Sequence, residues 1–183
     1  MLKALEQIFF PRFCINCNKE GSFLCEDCFF LIEVMERVYC LCDYPKAGKE
    51  KCKECSSKSL DALHFASHLQ GPLAEKLYKS YTKEPFLRDL SYPLSGLIIM
   101  HFLSLKRIPQ KFFLHPLPVE NKKTAGYDTN KEVADKIEKP LGLKGGKKAL
   151  LFSVLYDEEM EKEAEKLKRK GVKEVRGVCV FRR

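Results

Sequence analysis

The feature that most restricts this chain is its ladder of cysteines. Eight of the nine fall between residues 14 and 55, in four pairs: Cys14/Cys17, Cys25/Cys28, Cys40/Cys42 and Cys52/Cys55. Three of the pairs are C-x-x-C. Such a turn directs two sulfurs at one centre, and two turns complete a tetrahedron around Zn²⁺. The spacing predicts one site from Cys14, Cys17, Cys25 and Cys28. It predicts a second from Cys40, Cys42, Cys52 and Cys55, where Cys40-Leu41-Cys42 is one residue tighter than a usual knuckle. One or two structural zinc ions are the expected cofactor. A disulfide framework is the alternative, and it needs an oxidising compartment. An iron–sulfur cluster could use the same donors. Four thiolates leave no open position for water, so a metal held this way is structural and no zinc hydrolysis follows.

With 183 residues the chain is one ordinary domain, or a small one joined to a medium one. The cysteine pattern divides it into residues 1–58, an N-terminal helix and double zinc ribbon, and residues 59–183. "MLKALEQIFFPRF" reads as an amphipathic start with Leu2, Leu5 and Ile8 or Phe9 on one face. It carries Glu6, is too short for the apolar region of a signal peptide and lacks a small-residue cleavage site. In "LCEDCFFLIEVMERVYC", Phe29, Ile32 and Met35 or Glu36 recur at helical spacing, which predicts a short helix between the knuckles.

After Cys55, "SSKS" reads as a hinge. "LDALHFASHL" alternates as a strand, with His64 and His68 partly exposed and roughly 13 Å apart, too far to share a metal. Pro72 opens a helix whose stripe is Leu73, Leu77 and Tyr81. "PFLRDLSYPLSGLIIMHFLSLKR" is a second helical region, expected to break at Pro93, and "KFFLHPLP" is a strand. Thr129 or Asp128 caps the next helix, with Val133 and Ile137 facing in. "KKALLFSVLY" is a continuous apolar strand of the buried parallel type. The helix that follows buries only Met160, Ala164 and Leu167, carries its acids early and its bases late, and ends at Gly171. "VKEVRGVCVFRR" closes as a strand, in which Cys179 is a small buried apolar residue rather than a nucleophile. Alternating strands and helices predict an α/β fold with a parallel sheet.

A net charge of +8 favours acidic partners such as nucleic acid or anionic membrane. Two zinc–tetrathiolate groups, each about −2, would lower it to roughly +4. No apolar stretch reaches the 18 to 20 residues of a membrane span, so the expected location is cytoplasmic.

The order of these pieces resembles the ComF family of competence-associated proteins, which join an N-terminal zinc ribbon to a phosphoribosyltransferase-like domain. "FPRFCINC" and "LCEDC" carry the specific part of the resemblance. "HPLPVENKKTAGYDTNKEVA" and "KKALLFSVLYDEE…LKRKGVKEVRGVCVF" follow in the family's order. The resemblance implies a reduced phosphoribosyltransferase-type, Rossmann-like parallel sheet. It also implies two ribose-binding acids at the end of the penultimate strand and a Thr-Thr-Gly phosphate turn opening the next helix. Here the acidic pair falls on Ser153 and Val154, and the phosphate turn on Asp157, Glu158 and Glu159. Three carboxylates thus stand where a phosphate dianion would sit, and two like charges about 4 Å apart repel by roughly 4 kcal/mol near a surface. The family's Arg-Gly-Phe-Asn-Gln turn becomes Ala125-Gly126-Tyr127-Asp128-Thr129, and the chain between Leu143 and Lys147 is too short for its basic segment. With the helix aligned differently Asp157 would replace one binding acid, and still no phosphate cradle remains. Neither phosphoribosyl pyrophosphate nor Mg²⁺ is an expected ligand, and no catalytic residue is assigned.

What the resemblance implies for function is assistance to single-stranded DNA during uptake, alongside a competence helicase or membrane channel. Candidate strand contacts are Arg12, Lys19, Lys46, Lys49, Lys51 and Lys53, with Phe13, Phe23 and Tyr44 as stacking surfaces. The alternatives are a protein-interaction adaptor and a still-active phosphoribosyltransferase.

Overall fold

The apolar runs of the C-terminal two thirds form strands, three of them buried on both faces and the fourth, at one edge of the sheet, half-buried. The computed structural model describes residues 11–42, 51–84, 86–119, 126–143 and 145–183. Among them a single sheet holds four parallel strands, β1 (Ala62–His68), β2 (Phe112–Pro116), β3 (Lys148–Leu155) and β4 (Glu174–Arg182), in the order β1-β4-β3-β2. Parallel neighbours cannot be joined by a hairpin, so each connection crosses a face of the sheet as helix. In chain order, α1 is a four-residue turn of helix (Glu26–Phe29). Then come α2 (Pro72–Lys83), α3 (Ser91–Ser104), α4 (Thr129–Glu138) and α5 (Glu158–Arg169).

The two-residue period of the strands sorts the core into two layers. Leu150, Phe152, Val154, Val178 and Val180 face α2, α3 and α4. Ala149, Leu151, Val175, Cys179, Leu63 and Phe65 face α5 through Met160, Ala164 and Leu167. The stripe expected for α5 is therefore the one it buries. α5 lies so close to the sheet that a Cβ on Gly177 would come within 3.0 Å of the Met160 sulfur and 2.9 Å of Leu63. Only glycine fits that position of β4. Asp128 caps α4 by accepting from the Lys131 N–H (3.0 Å), and Thr129 is the first helical residue. Gly171 takes a φ of +89° just beyond α5, the left-handed turn that ends a helix.

Three sequence expectations change. Pro93 does not break its helix: α3 runs unbroken from Ser91, and Pro93 sits in its first turn, where the missing N–H had no partner to lose. The helix between the knuckles stops at Phe29. Beyond it the chain passes along the free edge of β1, where the Met35 N–H donates to the Ala66 carbonyl (2.8 Å) and Tyr39 forms an antiparallel bridge with Leu63. The unpaired donors and acceptors of a sheet edge offer this segment more than a second helical turn does. His64 is buried rather than partly exposed, at 4%. It packs against the rings of His101 (5.8 Å) and Phe102 (5.0 Å) and neither of its ring nitrogens has a hydrogen-bond partner, whereas His101 Nδ1 donates to the Met35 carbonyl (2.5 Å). The amphipathic start expected for residues 1–9 lies outside the described residues.

Burial, reinforced by the neighbouring His101 and Arg176, lowers the His64 pKa to about 3. The folded protein then keeps this ring neutral at pH values where the unfolded chain protonates it. Stability is unaffected above about pH 6.5 and falls by up to about 1.4 kcal/mol per pH unit below it, until the folded value is reached. His64→Leu should remove that component: between pH 7 and pH 5 the urea midpoint of the variant should fall less than that of the wild type. Parallel declines would show that His64 is not the group responsible.

Candidate metal centres and the ligand edge of the sheet

Each predicted cysteine set comes together. The sulfurs of Cys14, Cys17, Cys25 and Cys28 all lie within 4.8 Å of one another, as do those of Cys40, Cys42, Cys52 and Cys55. A tetrahedron with Zn–S bonds of about 2.3 Å has sulfur–sulfur edges of about 3.8 Å. The observed separations include 3.5 Å for Cys17–Cys25, 3.8 Å for Cys42–Cys52, 3.4 Å for Cys52–Cys55 and 2.8 Å for the tight pair Cys40–Cys42, whose sulfurs a bound metal would spread. All nine cysteines are free thiols, so no disulfide framework forms.

Local folding presents the donors. Asn18, at φ +61°, turns the chain so that its N–H reaches the Cys14 carbonyl (3.0 Å) and the Cys14 N–H reaches Lys19 (2.9 Å). Cys25 precedes α1 and Cys28 lies within it. The Cys25 N–H and the Asn16 side-chain amide point at the sulfurs of Cys14 (3.5 Å) and Cys28 (3.3 Å), as donors around a metal thiolate do. Burial pushes the Cys14 thiol up, but the N–H groups of Cys17, Cys25 and Asn16 outweigh it and bring its pKa down to about 6. At Cys28, Asn16 favours the thiolate, yet burial and the three neighbouring sulfurs push the pKa up to about 12. One easily formed thiolate beside others that resist ionisation is a site that a divalent cation would relieve. The second set is built on Cys40 with the bend that follows it at 41–42, and on the 3₁₀ turn Lys53–Cys55, which Cys52 precedes. Both donor sets fit Zn²⁺ without an open coordination position.

The two sets sit on opposite faces of the sheet. Cys14, Cys25 and Cys28 share the apolar layer of α2, α3 and α4, and the Phe29 ring comes within 3.3 Å of the space above Gly96 of α3. Cys40, Cys52 and Cys55 share the α5 layer with Leu60, Leu63 and Phe65. The segment read as a hinge is tied down at its far end. Glu161 of α5 accepts from the N–H groups of Ser59 (2.9 Å) and Leu60 (3.2 Å). Asp61 accepts from the Val175 N–H (2.9 Å) and Lys168 (2.8 Å).

Arg182, at the end of β4, fastens the second set. Its guanidinium donates to the carbonyls of Cys40 (2.9 Å) and Cys42 (2.5 Å), and lies over the rings of Phe65 and Tyr156 at 5.5 and 5.6 Å. The residue is 4% exposed and forms no ion pair with a carboxylate among the described residues. A buried cation is costly without a countercharge. A metal held by four thiolates, with its net charge of about −2, would supply one.

The positions that the resemblance assigned to a phosphoribosyl site take part in packing and capping. Parallel α/β sheets bind ligands beyond the carboxyl ends of their strands, where successive connections leave for opposite faces. Here that point lies between β2, followed by α4, and β3, followed by α5. Asn130 closes it: its side-chain N–H donates to the Leu117 carbonyl (2.9 Å) and its oxygen accepts from the Val154 N–H (2.8 Å). Ser153 and Val154 are buried at 5% and 2%. Asp157 caps α5 by accepting from the Met160 N–H (3.3 Å), so a donor of the helix start is already taken. Burial raises the Asp157 pKa, opposed by the N–H groups of Met160 and Glu159. Glu158 and Glu159 are exposed in the first turn. In the segment 125–129, Tyr127 donates to the Tyr81 carbonyl (2.8 Å), while Ala125 lies outside the described residues.

The candidate strand contacts are largely occupied elsewhere. Arg12 pairs with Asp89 (2.5 Å) above the Phe23 ring, Lys19 pairs with Asp27 (2.9 Å), and Lys51 donates to the Lys58 carbonyl (2.7 Å). Lys53 and Phe13 are exposed. Lys46, Lys49 and Tyr44 lie outside the described residues. Sequence reasoning missed Asn130, Glu161 and Arg182. For Asn130 a signal existed: it is a polar residue on the inward side of a capped helix.

No helix among the described residues is long and apolar enough to cross a membrane. Comparison with family models, with curated proteins and with solved structures finds no match to the chain.

Metal analysis of the purified protein should find close to two zinc ions per chain, and Cys28→Ser and Cys55→Ser should each leave about one. Arg182→Gln should weaken only one of the two ions, about 10- to 100-fold in competition with a chelating dye, the range typical of residues that support metal ligands. Unchanged affinity at both sites would leave Arg182 without a role at the metal. Asn130→Leu should cost about 2–4 kcal/mol in denaturant unfolding, because it strands a buried carbonyl and a buried N–H together. A loss below about 1 kcal/mol would mean that the crevice rearranges around the change.

Proposed function

We propose that the protein is a ComF-like, catalytically degenerate member of the competence proteins. In this reading it assists the handling of single-stranded DNA during transformation and transfers no phosphoribosyl group. The observation that carries the reading is the closed edge between β2 and β3. Asn130 bridges the strands, and an acidic helix start follows β3 where a phosphate cradle is needed. Two complete four-cysteine groups packed on the same sheet support the other half of the resemblance, the double zinc ribbon. In this reading the zinc ions are structural, the sheet is a reduced phosphoribosyltransferase-type sheet, and the protein works in the cytoplasm.

A second reading is favoured by a separate observation. Phe30 and Leu31 stand out beside the first cysteine set at 64% and 71% exposure. Large apolar side chains side by side at the surface suit docking to another protein. An adaptor that meets a competence helicase or a membrane channel would use such a surface and need no affinity for DNA.

Two titrations of the zinc-loaded protein decide between the readings. Calorimetry with phosphoribosyl pyrophosphate and Mg²⁺ should show no binding at micromolar concentrations; heat of binding there would restore the transferase. Fluorescence anisotropy on a labelled single-stranded oligonucleotide should show binding that weakens steeply with salt. Absence of binding at low salt would move the function to the adaptor.

A further inference from the structure

The opposite edge of the sheet carries a charge pattern that neither reading uses. Three of the four strands enter the sheet directly behind a lysine: Lys111 before β2, Lys147 before β3 and Lys173 before β4. The pairing of Phe112 with Lys148 and of Lys148 with Glu174 places the three lysines side by side. At about 4.8 Å between strands the row is roughly 10 Å long. Its backbone is tightly joined: the Lys173 N–H donates to the Lys147 carbonyl (3.3 Å), and a Cβ on Gly146 would fall 1.9 Å from the Lys111 carbonyl oxygen. Lys106 and Arg107, in the turn from α3 into β2, and Lys170, at the end of α5, extend the row.

All six cations are exposed, and none forms an ion pair among the described residues. Acids do occur on this edge, but they are mostly committed. Asp61 is held by Lys168 and the Val175 N–H, and Glu174 by Lys148 and Arg176; Glu138 in the last turn of α4 is exposed. Helices α3, α4 and α5 end here, and the partial negative charge of a helix end attracts cations, which accounts for some of the enrichment. It accounts for Lys106, which follows the end of α3 in the left-handed turn that closes a helix (φ +51°), but not for Lys111, which enters β2 at φ +64°, where glycine or asparagine would be more comfortable.

Resting on the DNA-handling reading, we infer that this basic edge, at the amino ends of β2, β3 and β4, is the surface that takes the phosphodiester backbone of single-stranded nucleic acid. The acidic first turn of α5, with Asp157, Glu158 and Glu159, lies beyond the opposite end of the strands and repels the same backbone. Among the described residues Phe112, the ring that follows Lys111, is 4% exposed beneath Lys148 and Arg176. Contact is therefore through charge and carries no base preference.

The test uses anisotropy of a labelled thirty-nucleotide oligothymidine with the full-length, zinc-loaded protein across a salt series. Two triple variants are compared: Lys111→Gln/Lys147→Gln/Lys173→Gln on the edge, and Arg12→Gln/Lys19→Gln/Lys53→Gln on the cysteine module. Zinc content and circular dichroism confirm that each is folded. The expected result is a Kd raised about tenfold or more by the edge variant alone. Its salt slope should fall by about 2, since each lost phosphate contact on a single strand removes about 0.7. Wild-type binding lost instead in the module variant, or equally in both, overturns the edge and leaves the DNA-handling reading standing. No binding by the wild type overturns both.

Discussion

The structure depends on what closes the outer edge of β1. That strand pairs with β4 on one side only. An open parallel edge presents a row of unpaired N–H and carbonyl groups, which invites pairing between molecules. Here the stretch between the two cysteine sets covers it, through Met35 and Tyr39. Having crossed the edge, the chain arrives on the other face of the sheet. Ile32 is therefore buried with α3 and α4, and Met35 with α5. The two four-cysteine groups follow from the same crossing, one for each face. They clamp β1 from above and below, and their cysteines are part of the core rather than an appendage to it.

That arrangement explains which parts of the fold can be read from the sequence. β3, α5 and β4 are legible because their signals are local: a run of apolar residues, a three-residue stripe, a glycine just past the helix. The cap of α4 is legible for the same reason, since Asp128 reaches only three residues ahead. The segment between the knuckles misleads because residues buried at intervals of three fit two structures. One is a helix with one wet face; the other is an extended chain with dry material on both sides. His64 misleads in a related way. Alternation along β1 suggests one wet face, but the second face is covered by α3, with His101 and Phe102 more than thirty residues away in sequence.

The functional region divides similarly. Metal-ligand spacing is a short-range code, so both cysteine sets can be assigned from the sequence to the residues that the fold brings together. The closing of the ligand edge is visible there only as a lack of glycine and an excess of acid; the device that closes it is not. Asn130 joins Leu117 to Val154, and Arg182 reaches back to Cys40 and Cys42 across most of the chain. Hydrogen bonds between such distant residues leave no periodic trace. What does leave a trace is chemistry out of place: an inward polar residue, or an arginine in a run that otherwise reads as buried strand.

Bridging the carboxyl ends of β2 and β3 through Asn130 changes what the two ends of the sheet can do. In a parallel sheet with an open crevice, the carboxyl ends of the strands are kept apart and polar so that a ligand can enter, which sacrifices packing there. In this chain Asn130 fastens that end and Asp157 caps the helix that leaves it, so the end contributes to stability instead. The amino end is under no such pressure, because the ligand crevice of this class of fold lies at the carboxyl ends. It is the end where a basic surface can be arranged without disturbing either core layer, since the side chains of Lys111, Lys147 and Lys173 are exposed. The acids that open α5 and the lysines that open the strands therefore lie at opposite ends of the sheet, and a polyanion drawn to the lysines is not drawn to that helix start.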